Sequence, residues 1–228
     1  MSAVRHSISA VILIIISATV TADERLPRVL IIGDRIYQQP AGETAKELKG
    51  QAEVVFARLE PGEIRSSETL LADLDRLLGD VTWDLIHFNV GLGDLVHRAP
   101  GMKSFRVMAR QVGGIRSTPP KRYEQNLKTI AARLKATRAR IIWASTTPIR
   151  HSSTNVFEPG SEVSYNAVAE RVMAEHNIPV NDMYGSVRAL IDMQRPASHG
   201  ADPFFFDRKP IHDPIVKVIQ SELSLGQE

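Results

Sequence analysis

The sequence contains no cysteine, so disulfides, thiolate-bound metal sites and a cysteine nucleophile are all excluded. A chain of this kind depends on its hydrophobic core for stability. The 228 residues are 43% hydrophobic, which supplies a sizeable core for one mid-sized domain. We therefore expect a single folded domain.

An excess of charge of either sign is also missing, since 28 basic residues face 26 acidic ones. This balance excludes the basic footprint that is typical of a nucleic-acid-binding domain. The sequence also lacks a glycine-rich phosphate loop and any recognisable spacing of metal ligands, and His87 lies within an apolar strand pattern. We accordingly expect no metal and no cofactor.

Only one stretch is apolar enough to suggest a targeting segment. Arg5 and His6 precede the apolar run 8–16, and small residues lead up to Ala22, a pattern typical of a secretory signal peptide. The run is shorter than the roughly 20 residues that cross a bilayer, so we expect no stable membrane insertion after cleavage. The prediction is a signal peptide over 1–22 and a secreted or periplasmic domain over 23–228.

Strand and helix patterns alternate through the rest of the chain. The expected strands are 28–33, 52–59, 84–89, 139–145 and 178–182, and the clearest helices follow Ser66, Pro119, Glu162 and Asp213. Parallel strands require crossover connections, which the intervening helices supply. The pattern predicts an α/β protein: a single-domain, flavodoxin-like three-layer α/β/α sandwich around a mostly parallel five-stranded sheet.

In such a sheet, ligands bind beyond the carboxyl ends of the strands. The residues expected there are 34–35, 60–66, 89–94, 145–151 and 181–182. The long irregular stretch 95–118 is expected to overhang this site, because loops of that length are commonly functional.

The strand ends also carry a family resemblance. The segments "VLIIGDRI", "WDLIHFNVGLGDL", "YEQNLKTIAARLKATRARIIWASTTP" and "YNAVAERVMAEHNIPVNDMY" occur in an order and spacing that resemble the SGNH, or GDSL-type, hydrolases, in particular an exported bacterial branch. The resemblance implies an ester hydrolase fold. It also implies a serine after Gly-Asp, glycine and asparagine donors to an oxyanion, and a C-terminal Asp-x-x-His pair.

Several of these positions depart from the family pattern. Arg35 stands where the nucleophilic serine is implied, after Asp34, and Phe205 stands where the histidine is implied, after Asp202. The third block has Gly93 before Asp94 in place of a side-chain donor, and the oxyanion glycine falls at Arg65 or, with a shifted loop, at Gly62. A guanidinium cannot attack and a phenyl ring cannot carry a proton, so the inherited mechanism is expected to be absent.

Two alternatives remain open at this stage. An active acyl or acetyl esterase would need relocated groups, for which the candidates are His151 beside Ser152 and Ser153, His199, and His212. Asp34 and Asp94 could in principle act together as acid and base, although a loop-fixing role is the simpler interpretation.

The arginine itself suggests a binding function. A planar guanidinium pairs with carboxylate, sulfate or phosphate, so Arg35 is predicted to bind an anionic small molecule or an acidic glycan. The expected ligand-binding residues are Arg35, Arg65, Asn89 and Asp94. The competing interpretation is an internal salt bridge from Arg35 to Asp34, Asp94 or Asp202. Nothing in the sequence predicts an oligomeric state.

Overall fold

The computed structural model describes residues 25–60, 62–102, 106–151, 153–194, 204, 206 and 209–226. The main sheet contains the strands β1 (Arg28–Ile32), β2 (Glu53–Phe56), β3 (Leu85–Phe88), β6 (Arg140–Ala144) and β7 (Val180–Asn181). They pair in the order β2-β1-β3-β6-β7, and every pairing is parallel. The predicted five strands and the parallel sheet are confirmed.

Seven α-helices accompany the strands in the described residues: α1 (Gln38–Glu47), α2 (Ser67–Leu78), α3 (Leu92–Leu95), α4 (Pro120–Ala136), α5 (Ser161–Glu175), α6 (Met183–Leu190) and α7 (Asp213–Leu223). Four of them were predicted from the sequence. The helix α1 was not, because its first turn contains Pro40 and its middle contains Gly42, residues that usually interrupt a helical pattern. The short α3 and α6 were also missed.

Alternation along the strands produces the three layers. In β1, Leu30 and Ile32 pack into the cluster that α2, α4 and α5 contribute to, whereas Val29 and Ile31 pack into the cluster of α1, α6 and α7. Successive side chains of a strand point to opposite faces, so one apolar strand serves both cores. The predicted α/β/α sandwich is therefore confirmed.

The segment 95–118 is less irregular than the sequence indicates. It contains β4 (His97–Arg98) and β5 (Ile115–Arg116), which pair antiparallel, and a 3₁₀ turn over Arg110–Val112. Arg98 forms a further bridge with Val107. These pairings give the described part of the segment a local structure of its own after the carboxyl end of β3.

The order of the strands fixes where a ligand can bind. The chain moves from β1 outward to β2 and then returns past β1 to β3, so the winding direction reverses between β1 and β3. A crevice forms at such a point, outside the carboxyl ends of the strands. No helix in the described part of the chain is long and apolar enough to cross a membrane.

Candidate functional site

The turn after β1 presents Arg35 to solvent. Asp34 is buried and its Oδ1 accepts a hydrogen bond of 2.9 Å from the backbone N–H of Ile36, so it caps the 3₁₀ turn Arg35–Tyr37. A Cβ atom on Gly33 would lie 2.5 Å from Cγ of Tyr37, so the tight turn requires glycine. Arg35 is the exposed residue of this turn, at the position where the resemblance implies a nucleophile.

Arg35 makes no hydrogen bond or ion pair with any residue in the described part of the chain. The proposed salt bridges to Asp34 and Asp94 are therefore absent. Asp202 lies outside the described residues, as do Phe205 and His199. Arg35 is thus an exposed cation at the carboxyl edge of the sheet.

Arg65 occupies a different environment from Arg35. Its side chain is 1% exposed, and its guanidinium donates to the carbonyl oxygens of Gly33 at 3.0 Å, Ala57 at 2.8 Å and Arg58 at 3.1 Å. It also forms an ion pair of 3.1 Å with Glu63. These contacts use the guanidinium to join the ends of β1 and β2, so the prediction that Arg65 binds a ligand anion gains no support from its geometry.

Gly93 contributes no side-chain donor because the backbone of the second block occupies the space. A Cβ atom there would lie 2.2 Å from the carbonyl oxygen of Arg65 and 2.8 Å from the backbone nitrogen of Ser66. Both distances are far below a van der Waals contact, so only glycine fits without a backbone shift. The close approach of the backbone at residues 65–66 therefore restricts position 93 to glycine, whatever side chain stands at position 65. Gly62 lies nearby and lines the same cleft.

Asp94 fixes a loop instead of facing a ligand. It is fully buried, and its carboxylate accepts hydrogen bonds from the backbone N–H of Ser67 at 2.9 Å and from the Ser67 hydroxyl at 2.6 Å. Asn126 donates to the same hydroxyl at 2.9 Å. Burial raises the pKa of Asp94 to about 6, and the bonds from Ser67 oppose that rise. The ligand-binding prediction for Asp94 is corrected, and the loop-fixing interpretation is supported.

Asn89 and His87 are also structural. The Asn89 side-chain amide donates to the carbonyl of Ala144 at 2.8 Å and so connects β3 to β6 at their carboxyl ends. It is 1% exposed, which corrects its prediction as a ligand-binding residue. His87 contacts the Asn181 amide at 3.1 Å through Nε2, and burial lowers its pKa to about 4.

The relocated histidines are not brought together with a hydroxyl nucleophile. His151 is exposed in the loop after β6, and His212 Nε2 lies 2.7 Å from Glu47 Oε1 at the start of α7. Of the serines near the strand ends, Ser67 is bonded to Asp94 and Ser145 to Asp182. Among the residues that the structure describes, no histidine is hydrogen-bonded to a serine or threonine hydroxyl.

Glu47, His212 and Asp213 could each offer one ligand atom to a metal, and these atoms lie within 4.8 Å of one another. The ion pair between Glu47 and His212 already accounts for the contact. The start of α7 also carries the positive end of the helix dipole, which disfavours a cation. We assign no metal to this cluster.

Two cavities open on either side of Arg35. The first, which we call the apolar chamber, has a volume of about 320 Å³. Eight apolar side chains line it: Ile36, Ile64, Leu92, Val96, Val107, Val156, Phe157 and Phe204. Asp34, Glu63 and Arg65 also line it. Asp34 accepts from Ile36 within its own turn, and Glu63 accepts from Arg65 and from the backbone N–H of Glu60. The chamber occupies the crevice between the ends of β1 and β3.

The second cavity, which we call the mixed pocket, has a volume of about 300 Å³. Its lining is half polar and half apolar: the polar residues are Arg35, Gln39, Glu43, Lys209 and His212, and the apolar ones are Ile36, Pro40, Phe204, Phe206 and Ile211. Arg35, Ile36 and Phe204 line both cavities. The exposed guanidinium therefore lies at the junction between the apolar chamber and the mixed pocket.

Most of the apolar wall was missed by the sequence reasoning. Val96 and Val107 of the segment 95–118 line the chamber, as the prediction of an overhanging segment requires. Val107 is 54% exposed in the structure, but its sequence context gave no signal of this. Val156 and Phe157 come from the loop before α5 and carried no signal in the sequence either.

Comparisons with known proteins identify the fold. No family model and no curated protein matches the sequence. A lipase/acylhydrolase from Enterococcus faecalis superposes with a TM-score of 0.65 at 14% identity, covering 89% of this chain and 99% of that one. A GDSL-like lipase from Bacteroides thetaiotaomicron gives 0.61 at 15% identity, covering 86% and 87%.

An acetylxylan esterase from Geobacillus stearothermophilus gives a TM-score of 0.60 at 14% identity, covering 89% of this chain and 95% of that one. These identities are low, so the likeness concerns the fold and carries no activity with it. The match nevertheless extends over nearly the whole of both chains. The protein therefore has the fold of the SGNH, or GDSL-type, hydrolases.

Proposed function

We propose that this protein is an exported SGNH-fold protein that no longer hydrolyses esters and instead binds a small anionic ligand at Arg35. The single observation that carries the proposal is an exposed guanidinium that has no partner among the described residues, at the position where the resemblance implies a nucleophile and at the junction of two cavities. A guanidinium remains protonated at physiological pH and binds carboxylate or phosphate oxygens in a bidentate geometry.

The surroundings of Arg35 support the loss of hydrolysis. The second-block residue Arg65 is buried with its guanidinium bonded to carbonyls, and Gly93 packs against its backbone. An oxyanion needs preorganised donors aimed at its position, and a serine nucleophile needs an adjacent base. Within the described chain neither cavity is lined by a serine or threonine, so a relocated nucleophile has no support there.

The lining also narrows the ligand. A sugar would require several hydrogen-bonding partners, whereas most side chains of the apolar chamber are hydrocarbon. The anionic part of the earlier prediction therefore has more support than the glycan part. Export remains part of the proposal, on the signal-peptide pattern over 1–22, and amino-terminal sequencing of the protein recovered from outside the cytoplasm tests it.

Anion binding is tested by nuclear magnetic resonance titration of the purified protein with sulfate, glucuronate and butyrate. We expect the amide resonances of Ile36 and the side-chain Nε–H of Arg35 to shift. The Arg35→Ala variant should bind about tenfold or more weakly, the typical cost of losing a charged hydrogen bond. Arg171→Ala, which removes an exposed arginine from α5, is the matched control and should behave as the wild type.

The loss of hydrolysis is tested separately with aryl acetates and a fluorophosphonate probe. We expect no turnover above that of Arg35→Ala and no covalent adduct. A phosphonylated serine or threonine, located by mass spectrometry, would instead establish an active esterase with a relocated nucleophile. If none of the three anions shifts the resonances of Ile36 or Arg35, the binding proposal is overturned.

A further inference from the structure

The apolar chamber points to the chemical class of the ligand. Its volume of about 320 Å³ lies at the lower end of the range of about 300–1,000 Å³ for small-molecule sites. Its walls are contributed by the loop before α2, by α3, by the segment 95–118 and by the loop before α5. The space is therefore lined from several directions by aliphatic and aromatic side chains, as an alkyl chain requires.

The charged side chains that line the chamber differ in their exposure and in whether they already have a hydrogen-bond or ion-pair partner. Glu63 accepts hydrogen bonds from Arg65 at 3.1 Å and from the backbone N–H of Glu60 at 2.7 Å. Arg65 is 1% exposed and bonded to backbone carbonyls, and Asp34 is 7% exposed and caps its own turn. Of the charged residues that line the chamber in the described structure, Arg35 alone is both exposed and unpaired.

A ligand that satisfies both features has one anionic head and one apolar tail. The head would pair with the Arg35 guanidinium at the junction of the two cavities, and the tail would lie between Ile64, Val107 and Phe157. The Phe157 and Phe204 rings meet edge to face with centroids 4.9 Å apart, which gives the chamber a rigid aromatic wall. Uncharged chains would lack the ion pair, and inorganic anions would leave the chamber empty.

We infer that the apolar chamber binds the alkyl chain of a medium-chain monocarboxylate, in the range from hexanoate to decanoate, whose carboxylate pairs with Arg35. The inference rests on the proposed function, which supplies the anion site. It adds the position and the chemistry of the ligand's tail. The protein is then a carrier or sensor of free acyl carboxylates, the chemical class that ester hydrolysis releases.

The test is a calorimetric and nuclear magnetic resonance series with acetate, butyrate, hexanoate and octanoate, each kept well below the concentration at which it forms micelles. Burying one methylene contributes about 0.8 kcal/mol, so Kd should fall about threefold to fourfold for each methylene that enters the chamber. Octanol, which has the same tail without the charge, should bind at least tenfold more weakly than octanoate. Arg35→Ala should bring octanoate close to that weaker value.

The location of the tail is tested by a matched pair of substitutions. Val107→Trp narrows the chamber at a residue that is 54% exposed, whereas Val112→Trp adds the same bulk at a residue that is 72% exposed and does not line the chamber. We expect Val107→Trp to weaken octanoate at least tenfold more than it weakens acetate or sulfate, and Val112→Trp to change the binding of none of the three. Independently of any variant, nuclear Overhauser contacts should join the octanoate methylenes to the methyl groups of Ile64 and Val107.

The outcomes separate the two proposals. Arg35-dependent binding of sulfate and acetate with no gain from chain length would overturn the acyl inference and leave the anion site standing. A gain from chain length that survives Val107→Trp, without contacts to Ile64, would place the tail elsewhere and overturn the inference as well. Carboxylates that bind irrespective of Arg35 would overturn the proposed function itself.

Discussion

At the scale of single residues, the positions that depart from the pattern of the resemblance are held by different local contacts. Arg35 lies in a turn whose cap and tight bend are formed by Asp34 and Gly33. Gly93, by contrast, is restricted to glycine by the backbone of Arg65, whatever side chain stands at position 65. The sequence shows which residues stand at these positions. It could not show that the backbone of one leaves no room for a side chain at the other.

Any side chain at position 93 should lower the free energy of unfolding of the protein. The Gly93→Ala substitution places a Cβ atom 2.2 Å from the Arg65 carbonyl oxygen, so we expect the free energy of unfolding to fall by about 2–4 kcal/mol in urea denaturation. Gly42→Ala is the control, because nothing lies within 4 Å of its added Cβ atom inside α1. It should stabilise the protein by about 0.5–1 kcal/mol. Equal effects of the two substitutions would show that the Gly93 contact is not tight.

Asp94 should make the stability depend on pH. Its pKa is raised to about 6 in the folded protein from an ordinary value of 3.8, so the folded state binds more protons between these values and stability falls as pH rises through that window. Wild-type protein should therefore gain about 1 kcal/mol between pH 7 and pH 5 relative to Asp94→Asn, whose side chain does not titrate. Urea denaturation at the two pH values measures the difference. If the free energy of unfolding changed equally in the wild type and in Asp94→Asn between pH 7 and pH 5, the raised pKa of Asp94 would be contradicted.

At the scale of elements, the guanidinium of Arg65 is a connection between strand ends. It bonds the carbonyl after β1 and the carbonyl after β2, two groups that would otherwise be buried without donors. Sequence position alone indicated a basic residue in a loop before α2. Its burial depends on the convergence of three segments, which no local pattern encodes.

Replacing Arg65 should loosen these strand ends. Arg65→Met keeps most of the side-chain volume but leaves the carbonyls of Gly33 and Ala57 unpaired, and we expect a loss of about 3 kcal/mol in unfolding free energy. Amide hydrogen exchange should accelerate at the carboxyl ends of β1 and β2. Arg58→Met, at an exposed side chain of the same loop, should change stability by less than about 0.5 kcal/mol. Similar effects of the two changes would refute the strand-linking role.

At the scale of the whole molecule, the cleft is lined by residues from several distant parts of the chain. The segment 95–118 contributes Val96 and Val107, the loop before α5 contributes Val156 and Phe157, and Arg35 lies between the two cavities. An activity that depends on several groups acting together is not restored when only one of those groups is put back. This argues that the proposed loss of hydrolysis is a property of the entire site.

Restoring the family's nucleophile should consequently not restore activity. Arg35→Ser supplies a hydroxyl after Gly-Asp, but Gly93 still provides no donor and Phe205 still stands where a histidine is implied. We expect no hydrolysis of aryl acetates above the wild-type background and no fluorophosphonate adduct on the variant. Octanoate binding should weaken as in Arg35→Ala. A stoichiometric adduct at position 35 would show that a base is present in the cleft.

The sequence by itself determined the layers of the fold, the order of the main elements and the identity of the residues that follow each strand. It could do so because alternating strand and helix periodicities and residue identities are local properties. Only the tertiary structure decided that Arg65 is buried and bonded, that Asp94 and Asn89 hold loops, and that Arg35 remains exposed beside an apolar chamber. Those outcomes depend on contacts between segments far apart in the chain, and on volumes and distances that no short stretch of sequence specifies.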